Sequence, residues 1–154
     1  MPSYKKIINK LINKKITVST AESCTGGLLA YSFTKNQNSS KIYLGGYVTY
    51  SNRLKIRNLN VKKTTLKKYG AVSKEIAIEM VNGLYSTNKT NICIATTGIA
   101  GPSGGTKKKP VGLIYIGIII NGKMKVFKKN FNGTRITIQN NCVNFIFKYL
   151  DKSI

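Results

Sequence analysis

Thr20-Ala21-Glu22-Ser23-Cys24-Thr25-Gly26-Gly27 is the stretch on which the fold turns. It follows Ile16-Thr17-Val18, a short β-branched run suited to a strand, and precedes Leu28-Leu29-Ala30-Tyr31-Ser32-Phe33, a helix-like run. A strand that ends in small hydroxyl and thiol residues and turns at once into a helix belongs to an open α/β sheet. Such sheets hold ligands at the carboxyl edge of their strands. The N–H groups of the helix's first turn would face that edge and favour an anion. Ser23 is then a candidate nucleophile, with nearby N–H groups to stabilise an oxyanion. The same residues also fit a purely structural reading, a Thr/Ser N-cap followed by a Gly-Gly turn.

Upstream, Ile7, Ile8, Leu11 and Ile12 fall at helical spacing behind a Ser3 cap. Downstream of the first helix, Asn36–Ser40 is a polar loop, and Ile42–Tyr50 is aromatic and β-branched enough for a strand. Gly45-Gly46 inside it suggests a bulge or a close backbone approach. Ser51-Asn52 can cap a short helix carrying Arg53, Leu54, Lys55 and Ile56, and a second short helix around residues 62–68 ends at Gly70. Ser73-Lys74-Glu75-Ile76 opens an amphipathic helix with Ile76, Ala77, Met80, Val81 and Leu84 on one side. Asn91–Thr97 is a short buried-strand pattern leading into the glycine-rich residues 98–106. Val111–Ile120 and Lys123–Phe131 flank Asn121-Gly122, a strong hairpin signal. A last helix holds Ile138, Val143, Phe145, Ile146, Phe147 and Leu150. The expected architecture is one domain over 1–154, a three-layer α/β/α arrangement with a mixed sheet.

Composition narrows the chemistry. The chain has 154 residues and no histidine, which removes Ser-His-Asp and Cys-His mechanisms. Only Glu22, Glu75, Glu79 and Asp151 are acidic, and the three cysteines are dispersed. Neither a metal site nor a carboxylate pair has the material it needs. An enzyme built from this chain would use lysine or tyrosine as its base. The 26 basic residues are nearly all lysines, scattered without an arginine-rich stripe or interleaved aromatics. With Ile and Asn also abundant, codon drift in an AT-rich genome is one source of the +22 charge; binding to polyanions is the other reading. No apolar run is long enough to span a bilayer, and the basic start Met1–Lys6 lacks a signal-peptide core. A reduced, cytoplasmic protein is the expectation.

Four ordered motifs give a sharper reading. Thr20–Ala30, Leu44–Ile56 (LGGYVTYSNRLKI), Gly70–Ser73 (GAVS) and Thr97–Gly112 (TGIAGPSGGTKKKPVG) resemble the C-terminal domain of the competence/damage-inducible protein CinA. That domain also occurs alone as nicotinamide-nucleotide amidase, and the stand-alone form suits this length. The resemblance implies a cofactor-free and metal-free amidohydrolase that converts nicotinamide mononucleotide to nicotinate mononucleotide and ammonia. It implies Ser23 as nucleophile, Lys55 as base and Tyr50 as an aid to proton transfer or orientation. Ser40 and Thr97 would contact the substrate or the catalytic hydroxyls, Gly98 would contact substrate, and Arg135 would bind the phosphate; the helix N-terminus at Thr25, Gly26 and Gly27 can serve as the oxyanion hole. A serine–lysine pair needs a neutral lysine, which burial and neighbouring positive charge both favour. Cys24 has no histidine to activate it and suits packing better; Glu22 suits an ion pair or a capping acceptor as well as a base.

The sequence departs from the family pattern at Gln37-Asn38, where Pro-Gly is usual, and at Thr134 and Gln139, in place of an acid and an arginine. These changes put pocket shape and phosphate binding in question. A drifted member that binds a pyridine nucleotide without turnover, a polyanion-binding protein and an amidase for another small amide stay open as alternatives. A homodimer or larger assembly is expected, with no specific nucleic-acid or membrane partner.

Overall fold

The computed structural model describes residues 3–154; Met1 and Pro2, which open the basic N-terminal run, lie outside them. In chain order the elements are α1 (Tyr4–Asn13), β1 (Val18–Glu22), α2 (Leu28–Thr34), a 3-10 turn (Ser39–Lys41), β2 (Tyr43–Val48), α3 (Asn52–Leu59), α4 (Lys63–Tyr69), α5 (Lys74–Asn88), β3 (Ile92–Gly98), β4 (Leu113–Ile120), β5 (Lys123–Asn130) and α6 (Arg135–Ser153). The sheet order is β2-β1-β3-β4-β5. β1 pairs in parallel with β2 and β3, whereas β4 and β5 run antiparallel, so the sheet is mixed as the sequence pattern predicts.

Strand periodicity sorts the core into two layers. Ile92 and Ile94 face α1, α2 and α6, where they join Ile7, Leu11, Leu29, Phe33, Ile146 and Phe147. Cys93 and Ala95 face the other side, where Ile76, Met80, Val81 and Leu84 of α5 pack with Leu59 at the end of α3. The α3–α5 crossing is close: a Cβ on Gly83 would sit 1.9 Å from the Leu59 carbonyl oxygen. Glycine is required there by contact. The Asn121-Gly122 turn has positive φ at both residues (48° and 79°), as a two-residue hairpin demands.

Both readings of Gly45-Gly46 hold. The β1–β2 register shifts between Val18 and Ser19, and a Cβ on Gly46 would lie 2.1 Å from the Thr20 carbonyl oxygen. The consequence for function is positional. β1 leaves the sheet into α2 on one face, and its parallel neighbour β2 leaves into α3 on the other. Adjacent strands that depart to opposite faces open a crevice beyond their carboxyl ends.

Candidate active site

That crevice holds a cavity of about 300 Å³. Ser23 and Cys24 enter it from the end of β1, Tyr50, Asn52 and Lys55 from the β2–α3 connection, and Ala71 and Val72 from the loop before α5. Thr97, Gly98 and the loop residues Ile99–Gly101, Ser103 and Gly104 line its β3 side, and Arg135 reaches in from the start of α6. Of the residues expected in a site, Ser23, Tyr50, Lys55, Thr97, Gly98 and Arg135 are therefore brought together.

Lys55 is the central feature. Ser51 caps α3 by accepting from the Leu54 N–H, which sets Lys55 in the helix's first turn with its side chain pointing inward. The residue is only 1% exposed, and its Nζ lies 3.0 Å from Ser23 Oγ and 2.9 Å from the Thr49 carbonyl oxygen. Neither partner is charged. Burial pushes the ammonium's pKa below the ordinary lysine range. With Nζ neutral, it still donates to Thr49 and can accept the Ser23 hydroxyl proton; the geometry needed by a base and its nucleophile is already present.

Ser23 is fixed from several directions. Its N–H donates to the Thr96 carbonyl at 3.0 Å, and the Cys24 carbonyl accepts from Gln139 Nε2 at 2.9 Å. Gln139, one of the departures from the family pattern, thus fastens α6 to the turn after β1. Thr134, the other, caps α6 by accepting from the Thr137 N–H. Cys24 is buried and its thiol is pushed up to about 12, chiefly by burial, which leaves it protonated and without nucleophilic character.

The first turn of α2 does not offer the anion site its sequence suggests. Glu22, fully buried, accepts from the N–H groups of Gly27 (3.0 Å), Leu29 (3.0 Å) and Ala30 (2.7 Å) and from Thr25 Oγ1 (2.6 Å). The Gly26 N–H donates to the Ser23 carbonyl at 3.1 Å. The expected oxyanion role of Gly26 and Gly27 is corrected accordingly: their donors are spent within the turn. Glu22 is a capping acceptor, the second of its sequence readings, and its charge suits a helix N-terminus. Of this turn's N–H groups, those of Cys24 and Thr25 have no acceptor among the described residues.

Ser40 is the other correction. It lies exposed in the turn before β2, at the amino end of that strand, while the cavity opens beyond the carboxyl end. Thr97 does line the cavity, with its hydroxyl donating to the Ala71 carbonyl at 2.7 Å; this ties the GAVS loop to β3 and leaves an oxygen lone pair to accept. A Cβ on Gly98 would stand 2.6 Å from the Leu113 carbonyl oxygen, so packing against β4 requires that glycine. Tyr50 is 60% exposed at the rim, and its hydroxyl accepts from an Arg135 guanidinium nitrogen at 2.7 Å. The second Arg135 nitrogen donates to the Gly101 carbonyl at 2.7 Å. Arg135 thereby bridges two walls of the cavity.

Sequence reasoning missed Asn52 and the Thr49 carbonyl. Asn52 stands within the same YSN motif that singles out Tyr50, which is a signal that was available; a backbone acceptor carries none. Among the described residues, no group of three His, Cys, Asp or Glu is placed to hold a metal ion, and no helix is long and apolar enough to cross a membrane.

Comparison with known proteins agrees on the family. The CinA C-terminal domain profile matches residues 2–154. A protein of Clostridium acetobutylicum named for competence-damage induction is 51% identical over 144 residues, covering 94% of this chain and 35% of its own length. A CinA-like protein of Kosmotoga olearia is 45% identical over 148 residues, 96% of this chain and 36% of its own length. The chain thus spans about a third of the length of these curated relatives. Among solved structures, a competence/damage inducible protein from Agrobacterium tumefaciens superposes with a TM-score of 0.91 at 34% identity, covering 99% of this chain and 96% of that one. A CinA superfamily protein from Escherichia coli gives 0.91 at 30%, covering 99% and 91%. The chain belongs to the CinA C-terminal domain family.

Proposed function

We propose that this chain is an amidohydrolase of the nicotinamide-nucleotide type, cleaving the carboxamide of nicotinamide mononucleotide to give nicotinate mononucleotide and ammonia. The observation that carries the proposal is the Ser23 Oγ–Lys55 Nζ pair, 3.0 Å apart on the wall of the crevice cavity with the lysine desolvated. Ser23 Oγ attacks the amide carbon while its proton passes to neutral Lys55. The resulting ammonium returns that proton to the departing nitrogen, releasing ammonia and leaving an acyl ester on Ser23. Water, deprotonated by the same lysine, cleaves the ester and frees the carboxylate. The N–H groups of Cys24 and Thr25 are candidate donors to the oxyanion. Arg135 and Tyr50 at the rim suit the phosphate end of a nucleotide, one Arg135 arm exchanging a protein oxygen for a phosphate oxygen.

Incubation with nicotinamide mononucleotide, nicotinamide and other small amides, with ammonia measured, tests the proposal. Ammonia from the nucleotide alone is the expected result. Saturable nucleotide binding without ammonia would support a non-hydrolytic role, and ammonia from the other amides alone would move the substrate elsewhere. Turnover is expected to persist in a chelator, because the serine–lysine pair supplies both nucleophile and base.

A further inference from the structure

The fold gathers lysines and aromatic rings that the linear sequence disperses. β5 is the edge strand farthest from β2. Its Lys123, Lys125, Phe127 and Lys129 stand opposite Ile120, Ile118, Ile116 and Ile114 of β4, so all four take the sheet face that α6 covers. On α6, Phe145 and Tyr149 are one helical turn apart, as are Lys148 and Lys152, and each pair shares a side of the helix. Phe127 meets both α6 rings edge-on, at centroid distances of 5.2 Å and 4.8 Å. These three half-buried rings line a depression of about 250 Å³ together with Lys129, Lys148 and Lys152. A second depression, of about 580 Å³, continues past Tyr149 to Lys123 and Lys125. Among the described residues, none that lines either depression is acidic.

Two of the lysines rest on the rings. Lys129 Nζ lies 4.4 Å from the Phe145 centroid and Lys125 Nζ 5.9 Å from that of Tyr149, each a cation over a π face. We propose that this seam between β5 and α6 binds single-stranded nucleic acid without regard to sequence, its lysines holding phosphates and its rings stacking bases. A phosphate that draws a lysine outward uncovers the ring beneath it, and a base takes the place of the ammonium group. Cations on both sides of an aromatic strip suit a strand that offers charge and flat π faces at every nucleotide. A duplex carries the same charge but hides its base faces, and an acidic peptide segment carries charge with no ring to stack. The Ser23–Lys55 cavity opens elsewhere, beyond the carboxyl ends of β1 and β3, so the seam does not depend on the amidase reading.

Fluorescence anisotropy over a range of salt tests the seam with a labelled oligothymidylate about 12 nucleotides long, a duplex of that length and polyglutamate. The single strand should bind tightest. Lys125→Gln combined with Lys148→Gln changes exposed positions on the two sides of the seam. The slope of log K against log salt should become shallower by about 1.4, at about 0.7 for each lost phosphate contact. Lys63→Gln combined with Lys67→Gln removes the same charge from α4 and should leave affinity and slope nearly unchanged. Phe145→Leu combined with Tyr149→Leu should weaken binding at least about fivefold at an unchanged slope, with folding checked by circular dichroism.

An equal loss from the α4 pair would reduce the binding to bulk charge and overturn the proposal. A duplex bound as tightly as the single strand, or folded leucine variants without effect, would remove the stacking on which it depends. Tighter binding of polyglutamate would make the partner an acidic protein segment instead. Should the leucine pair misfold, the two lysine pairs and the comparison of single strand with duplex decide alone.

Discussion

At the residue scale, two neighbouring side chains separate function from packing. Ser23 Oγ lies 3.0 Å from Lys55 Nζ, while the Cys24 thiol is buried and held protonated. Ser23→Ala should abolish ammonia release, and Cys24→Ser should keep most of it; steady-state assays of both purified variants check this. The reverse pattern would transfer the nucleophile to the thiol. Glu22 supplies a second prediction. Its carboxylate satisfies three backbone N–H groups, and Glu22→Ala leaves them without an acceptor, buried at Leu29 and half-buried at Gly27 and Ala30. At about 1–3 kcal/mol for the buried Leu29 donor, and less for the two that water can reach, the loss should be at least about 1 kcal/mol, read from the urea midpoint. Glu22→Gln keeps an acceptor oxygen and should cost less. Ser23 and Lys55 were legible from motifs. The spent donors at Gly26 and Gly27 were not, because nothing in local sequence says that a carboxylate will fold back over the helix it precedes.

At the element scale, α3 is held in place by its contact with α5, and α3 carries Lys55. Gly83 makes that contact possible, since any Cβ would strike the Leu59 carbonyl. Gly83→Ala should destabilise the fold by roughly 1–3 kcal/mol through forced separation of the helices. It should also lower kcat more than it raises KM, because Lys55 moves with α3 while Arg135 on α6 stays; denaturant melts and steady-state kinetics report the two effects. Most elements were readable from the sequence: the caps at Ser3, Ser51 and Ser73 and the Asn-Gly hairpin each stand where local chemistry puts them. The expected strand Ile42–Tyr50 shortens to Tyr43–Val48. Ile42 closes the preceding 3-10 turn, and the Thr49 N–H bonds the Glu22 carbonyl just past the strand's end. Residue propensity cannot place such boundaries, which are set by the partner strand.

At the scale of the whole molecule, topology makes the site. β1 and β2 leave the sheet on opposite faces, so residues 32 positions apart in sequence, Ser23 and Lys55, meet across one crevice. That meeting was available from the sequence through motif resemblance alone, since periodicity gives no register between β1 and β2. The misplacement of Ser40 has the same origin: a motif list is blind to which end of a strand its members occupy. Charge is the other global property. Lysines scattered over the surface should give weak, sequence-blind DNA binding that fades steeply with salt, and gel shifts with several sequences at low and near-physiological salt would show it. The most direct test of the central claim, that Lys55 acts as the base, is the pH dependence of kcat for wild type and Lys55→Arg, with folding verified by circular dichroism. The active lysine is the neutral one, and burial lowers its pKa. Wild-type kcat should therefore rise with pH through a value below the ordinary lysine range and then level off. Arginine keeps the charge but cannot release its proton, so kcat should fall by about 10²–10⁴ with nucleotide affinity little changed. Near wild-type turnover by Lys55→Arg, or a wild-type profile flat across that range, would contradict the account.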